Sequence, residues 1–167
     1  ITIKNTRTSG NYNNIITFSY ADINKVNFTN IEIDAPRMAY NAPIARSRGY
    51  HISNINVENI NVTGANDTAG LISYAFETAY NDINGKNITV TGAQYTGGLI
   101  GSRPYRDITT YYRFNVEDVT VTGTSYVGGI FGRGSSDDST VKNAVVTGTS
   151  YIGGFSGYSY ELYTRDV

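Results

Sequence analysis

Apolar residues recur along this chain at fixed long distances rather than at a helical period. Taking the second apolar residue of each main strand as reference, Ile33, Val62, Val90, Val121 and Val146 form one series, with Ile3 expected as its first member; the intervals are 30, 29, 28, 31 and 25 residues. Two residues before each reference stands Ile31, Ile60, Ile88, Val119 or Ala144, and five before stands Phe28, Val57, Gly85, Val116 or Val141. Side chains alternate across a strand, so the apolar pair faces one side while Glu32, Asn61, Thr89 and Thr120 face the other. A period of this length in strand-forming sequence points to stacked coils. The pattern predicts an all-β fold, a single-stranded parallel β-helix of about six coils of 25–31 residues, roughly 1–22, 23–50, 51–82, 83–113, 114–139 and 140–167.

Polar positions repeat as well. Three residues before the reference the chain reads Asn30, Asn59, Asn87, Asp118 and Asn143. Stacked, these side chains would align, bonding to backbone at a corner or pairing with the amide above and below. Asp118 would break that pairing on one side and is expected to find a backbone N–H or partial solvation. Ala35, Gly64, Gly92, Gly123 and Gly148 follow two residues after the reference, consistent with a corner that needs positive φ or close backbone packing. Tyr95, Tyr126 and Tyr151 then precede Gly-Gly pairs, followed by Leu99, Ile130 and Phe155 at the start of a second short strand. Ser102–Arg113, Arg133–Ser139 and Tyr74–Asp82 differ in length and sequence and are expected to be variable loops on one edge. The first two coils have drifted: Ile31–Arg46 keeps a strand but contains Pro36 and Pro43 and lacks the Gly-Gly pair.

Composition agrees with strands and turns, with 18 Gly, 15 Tyr, one Met and no Trp. No apolar run is long enough to span a membrane as a helix, so membrane insertion is not expected. Thirteen Lys plus Arg against 14 Asp plus Glu, scattered without blocks, leave no footprint for nucleic acid. The absence of cysteine excludes disulfides and thiolate metal sites. Opening at Ile1 and stopping at Val167 inside a repeat's connecting stretch, the sequence reads as an excerpt of a longer chain with flanking domains or coils.

The stretches Y-T-G-G-L-I-G (95–101), Y-V-G-G-I-F-G (126–132) and Y-I-G-G-F-S-G (151–157), with a degenerate D-T-A-G-L-I-S (67–73), resemble the GLUG motif of large bacterial surface and secreted proteins. Such repeats occur in the non-catalytic β-helical region of IgA-specific zinc metallopeptidases and in adhesins. The resemblance implies a secreted or cell-wall-attached bacterial protein, in which this segment is a spacer or a substrate-presenting module. Zinc would then lie elsewhere in the parent chain, with no cofactor in this segment.

The candidate chemistry is sparse. A metallopeptidase needs H-E-x-x-H, and His51 is the single histidine; a Ser/His/Asp triad would also have to use His51, and no G-x-S-x-G is present. Carbohydrate-active chemistry would need paired carboxylates. Asp137 and Asp138 read as a solvated Ser/Asp turn, and Glu117 and Asp118, as neighbours on a strand, are expected on opposite faces. No G-G-x-G-x-D calcium repeat is present. For binding a host protein or glycan, the candidates are Tyr105, Arg106, Tyr111, Tyr112 and Arg113 in the longest variable stretch, because Arg and Tyr are favoured interface anchors. Tyr95, Tyr126 and Tyr151 would stack in a row, either as a binding surface or as a structural ladder.

Overall fold

The computed structural model describes residues 1–9, 14–17, 19–48, 51–76, 79–103, 111–136 and 138–159, with 111 and 112 described by backbone alone. The first coil contributes β1 (Thr2–Ser9), and the second β2 (Ile23–Asp34) and β3 (Ile44–Arg48). Each later coil contributes one long strand and two short ones: β4 (His51–Thr63), β5 (Thr68–Ala69) and β6 (Ile72–Phe76); β7 (Ala79–Thr91), β8 (Gln94–Gly97) and β9 (Ile100–Ser102); β10 (Tyr111–Thr122), β11 (Ser125–Gly128) and β12 (Phe131–Arg133); β13 (Thr140–Thr147), β14 (Ser150–Gly153) and β15 (Ser156–Tyr158).

All pairing is parallel, each strand with its equivalent one coil away. Three sheets result: a six-stranded wall ordered β1-β2-β4-β7-β10-β13, a four-stranded one ordered β14-β11-β8-β5, and a five-stranded one ordered β15-β12-β9-β6-β3. The protein is a parallel β-solenoid. The register places Ile33 beside Val62, Val62 beside Val90, Val90 beside Val121 and Val121 beside Val146. Ile3 does not join that series. It pairs with Phe28, and Thr8 stands beside Ile33. The apolar alternation of the first coil is too short to fix a register, and its polar Thr8 at the reference position hid the match.

The apolar offsets of five and two have different parity, which a flat strand cannot satisfy with both residues inward. Left-handed residues resolve this. Every non-glycine residue with positive φ among the described residues falls into one of three columns running along the solenoid: Lys25, Asn54, Asp82 and Arg113; Asn5, Asn30, Asn59, Asn87, Asp118 and Asn143; and Tyr40, Asp67, Tyr95, Tyr126 and Tyr151. Each resets the inward-outward alternation and bends the chain, so Val57 and Ile60 are both buried while Glu58 and Asn59 both face out. Asn and Asp visit this region at low cost, which accounts for much of the first two columns. The glycines after the reference residue are not left-handed. Gly92 is there because a Cβ would lie 2.5 Å from the Thr96 Oγ1, and Gly98 because a Cβ would lie 2.0 Å from the Gly129 carbonyl oxygen.

The interior is apolar and stacked in register. Phe28, Ile31, Ile60, Val62, Leu71, Ile88, Val121 and Ile130 are buried, and the Tyr80, Phe114, Phe131 and Phe155 rings succeed one another at centroid separations of 5.7, 5.3 and 5.9 Å. The buried Thr68 and Thr96 hydroxyls donate to the carbonyls of Ala65 and Ala93. In the final coil Ile152 is 46% exposed although its partner Val127 is buried, because no described coil covers that end, whereas Val145 is 59% exposed because it stands beside Thr120 on the outward face. Much of the stretches expected as loops is strand: Tyr74–Phe76 ends β6, Ala79–Asp82 opens β7, and Tyr111–Arg113 opens β10.

Candidate functional site

Two columns of polar side chains run along the outer face of the long sheet. In one, Asn30 donates to Asn5, Asn59 to Asn30 and Asn87 to Asn59 at 2.9–3.0 Å, and Asn143 donates to the Asp118 carboxylate at 3.0 Å. These amides pair with one another as expected, but on the exposed side. The second amide column escaped the sequence analysis: Asn56 donates to Asn27, Asn84 to Asn56, Asn115 to Asn84, and the Thr140 hydroxyl to Asn115. Its signal was an Asn recurring six residues before each reference. Between this column and the row Thr29, Glu58, Lys86, Glu117 and Lys142 lies an open groove of about 600 Å³. Its charges cancel, two Glu against two Lys, and Lys86 pairs with Glu117 at 3.6 Å.

Glu117 and Asp118 both face outward, contrary to expectation, because the left-handed Asp118 breaks the alternation. They do not form an acid–base pair: Glu117 is engaged by Lys86, and Asp118 by Asn143. Asp138 is exposed, and Asp137 lies outside the described residues. His51 is exposed at the start of β4, with its Nδ1 3.5 Å from Asp22. Among the described residues no group of three or more His, Cys, Asp or Glu is placed to hold a metal ion, and no helix is long and apolar enough to cross a membrane.

Of the binding candidates, Tyr105 and Arg106 lie outside the described residues, and Tyr111 and Tyr112 are placed by backbone alone, beside Tyr80 and Asn81. Arg113 sits at a corner, where its guanidinium donates to both Asp82 carboxylate oxygens, at 2.7 and 3.1 Å. Tyr95, Tyr126 and Tyr151 stack, with centroids 4.9 and 4.7 Å apart and planes 21° and 2° from parallel. Their faces are turned to one another, and the Tyr158 ring edge packs on both Tyr126 and Tyr151. Left-handed tyrosine costs roughly 1–2 kcal/mol per residue. Mutual stacking, worth about 0.5–1.5 kcal/mol per pair beyond burial, offsets that strain.

The same corner extends further than the motif showed. Tyr40 occupies the equivalent place in the second coil, two residues later relative to its reference because of the inserted Pro-containing turn. In the third coil the place is taken by Asp67, whose backbone bonds to the Tyr40 level through Asn41 and to the Tyr95 level through Gln94. Around it, the Arg46 guanidinium lies 4.0 Å over the Tyr40 ring, the Tyr74 ring meets Tyr40 edge-on at 5.9 Å, and the Arg133 guanidinium lies 5.8 Å from the Tyr95 centroid. Burial pushes the Asp67 carboxyl above the usual range; a hydrogen bond with Ser102 and the charges of Arg46 and Arg133 offset this in part. Burial likewise raises the Tyr74 phenol, with Tyr40 and Asp67 adding to the effect. This cluster was invisible as a site in the sequence, since its members come from four coils. The one available signal was an Asp in a tyrosine column.

Comparison with protein-family models, with curated proteins and with solved structures gives no match.

Proposed function

We propose that this β-solenoid is a non-catalytic spacer that presents or holds substrate within a large secreted or wall-attached bacterial protein, of the kind that carries an IgA-specific zinc metallopeptidase domain. The observation that supports a spacer is the uninterrupted stack: three parallel sheets in register over the described coils, with no residue cluster suited to metal chemistry among them. Such a stack transmits position rigidly, because each coil is bonded to its neighbours along every wall. The GLUG-like Y-x-G-G corners are what connect it with that protein setting. The test is to express the full reading frame with and without residues 51–139 and to compare zinc-dependent cleavage of folded immunoglobulin A with cleavage of a short unfolded peptide. Selective loss of the first is expected. Absence of an H-E-x-x-H domain in the reading frame, or equal loss of both activities, would overturn the proposal.

A second reading, a surface adhesin module, is favoured by one specific feature: the half-buried Arg and Tyr side chains gathered at the tyrosine corner, residue types that anchor interfaces.

A further inference from the structure

The charged row on the outer face of the long sheet alternates in sign. From the third coil to the sixth it reads Glu58, Lys86, Glu117 and Lys142, each standing in register beside the next. Within the chain one ion pair closes along this row, Lys86 with Glu117 at 3.6 Å. Glu58 and Lys142, at its two ends, are exposed and make no ion pair among the described residues. The amide column on either side of the row holds one charge over the same coils, that of Asp118.

We propose that this face binds a second copy of the chain, the two solenoids lying antiparallel about a two-fold axis that runs along the strands between the fourth and fifth coils. A row that reads minus, plus, minus, plus is complementary to its own reverse. Glu58 of each copy then meets Lys142 of the other, and Lys86 meets Glu117. Slid by one coil in one direction, Lys86 would meet itself and Glu58 would meet Glu117; slid in the other, Glu117 would meet itself and Lys86 would meet Lys142. A two-fold along the solenoid axis would set every charge against its own copy. One closed arrangement therefore matches all four charges, and like-charge contacts disfavour its neighbours. The same axis places Asp118 opposite Asn87 of the other copy, whose amide has a second N–H to give, and Thr89 opposite Thr120. The open groove of about 600 Å³ beside the row gives the facing Lys and Glu side chains room to cross. An overlap of four coils, about 19 Å along the axis and about 25 Å along the strands, covers about 500 Å² on each copy. That is the low end for a specific interface, and the face is polar, so the dimer is weak and reversible. The pairing concerns the solenoid alone and stands whether or not the parent chain is a peptidase.

Sedimentation equilibrium of the 167-residue chain, from about 10 µM to about 1 mM at low ionic strength, is expected to show a monomer–dimer equilibrium that weakens with added salt. Glu58→Lys and Lys142→Glu are the informative variants. Neither residue has an ion pair to lose within the chain, so both variants should melt close to the unaltered protein. Each change sets two like-charged pairs across the axis and should weaken self-association about tenfold or more. Mixed in equal amounts, the two variants should form a heterodimer about as tight as the original, because each then meets the opposite sign at both ends of the row. Alternation that served only the chain's own ladder predicts no such recovery, since mixing changes nothing within either chain. A chain that stays monomeric at about 1 mM, single variants that self-associate as tightly as the unaltered chain, or a mixture no heavier than its separate components would each overturn the proposal. None of these results bears on the cleavage experiment that tests the spacer proposal.

Discussion

Two aspartates interrupt two ladders of this solenoid, and they do so with nearly the same backbone, φ 56° at Asp118 and 53° at Asp67. Their surroundings differ completely. Asp118 stands in an exposed amide column, where the Asn143 amide donates to it. Asp67 stands half-buried in an aromatic column, where its charge is disfavoured by burial and held by Ser102, Arg46 and Arg133. The left-handed corner therefore tolerates either residue, and the neighbours along the column decide the consequence. One interruption is a local gap in a hydrogen-bond chain; the other assembles a polar cluster from four coils.

The sharpest way to extend this comparison is to place a carboxylate where neither water nor a partner exists. Val121 is fully buried between Val90 and Val146 in adjacent coils. Val121→Asp puts an unpaired acid into that stack and is expected to cost about 4 kcal/mol or more, enough to unfold the chain. Far-UV circular dichroism and thermal melting measure it; a cooperative melt close to the original temperature would refute the register described here.

The aromatic column is the next test. Tyr126 stacks on Tyr95 and on Tyr151 and meets the edge of Tyr158, so Tyr126→Ala removes three ring pairs and leaves a left-handed alanine. A loss of about 1.5–4.5 kcal/mol is expected from the pairs alone. The outer Tyr151, 58% exposed with one stacked neighbour and the Tyr158 edge, should lose about two thirds as much when changed to Ala. Equal losses in urea titrations of the two variants would show that burial, not stacking, sets the value of the column.

The ladders were legible in sequence to different degrees, for physical reasons. The reference series from Ile33 to Val146 emerged because buried apolar positions tolerate few residue types, so the spacing survives when the rest drifts. The first amide column and the Tyr95–Tyr126–Tyr151 stack emerged for a similar reason: left-handed corners and ring stacking both restrict the choice. What stayed hidden was conformation at single residues. Positive φ at Asp118 reversed the face expected of Glu117 and Asp118, and no periodicity rule carries that information. The Asp67 cluster stayed hidden because Arg46, Tyr74, Ser102 and Arg133 approach from other coils, at distances along the chain that only the register fixes.

A titration separates the two aspartates more finely. The Asp67 carboxyl in the folded chain is raised above its ordinary value near 3.8, chiefly by burial. A raised acid favours folding fully below that ordinary value, and the contribution is lost as pH rises through the folded value. The groups that face it are arginines and tyrosines: Arg46, Arg133, Tyr40 and Tyr74. Asp67→Asn removes the titration, so its stability relative to the unaltered chain should increase from pH 3 to pH 7. Urea midpoints of both chains across this range check it, and a difference that stays flat or reverses sign would contradict a buried, disfavoured carboxylate.

The smallest effect belongs to Asp118. Each amide in its column donates to the one before it, and a carboxylate has no proton to give to the Asn87 oxygen. Asp118→Asn supplies the donor, keeps the acceptor for Asn143, and retains a side chain suited to the left-handed corner. One exposed amide hydrogen bond is worth about 0.5 kcal/mol, so the melting temperature should rise by about 1–2 °C. The gain should come without any change at the tyrosine corner. A fall in stability would mean that the negative charge itself matters at this position, with Lys142 or Lys86 nearby in sequence register as the partners to remove next.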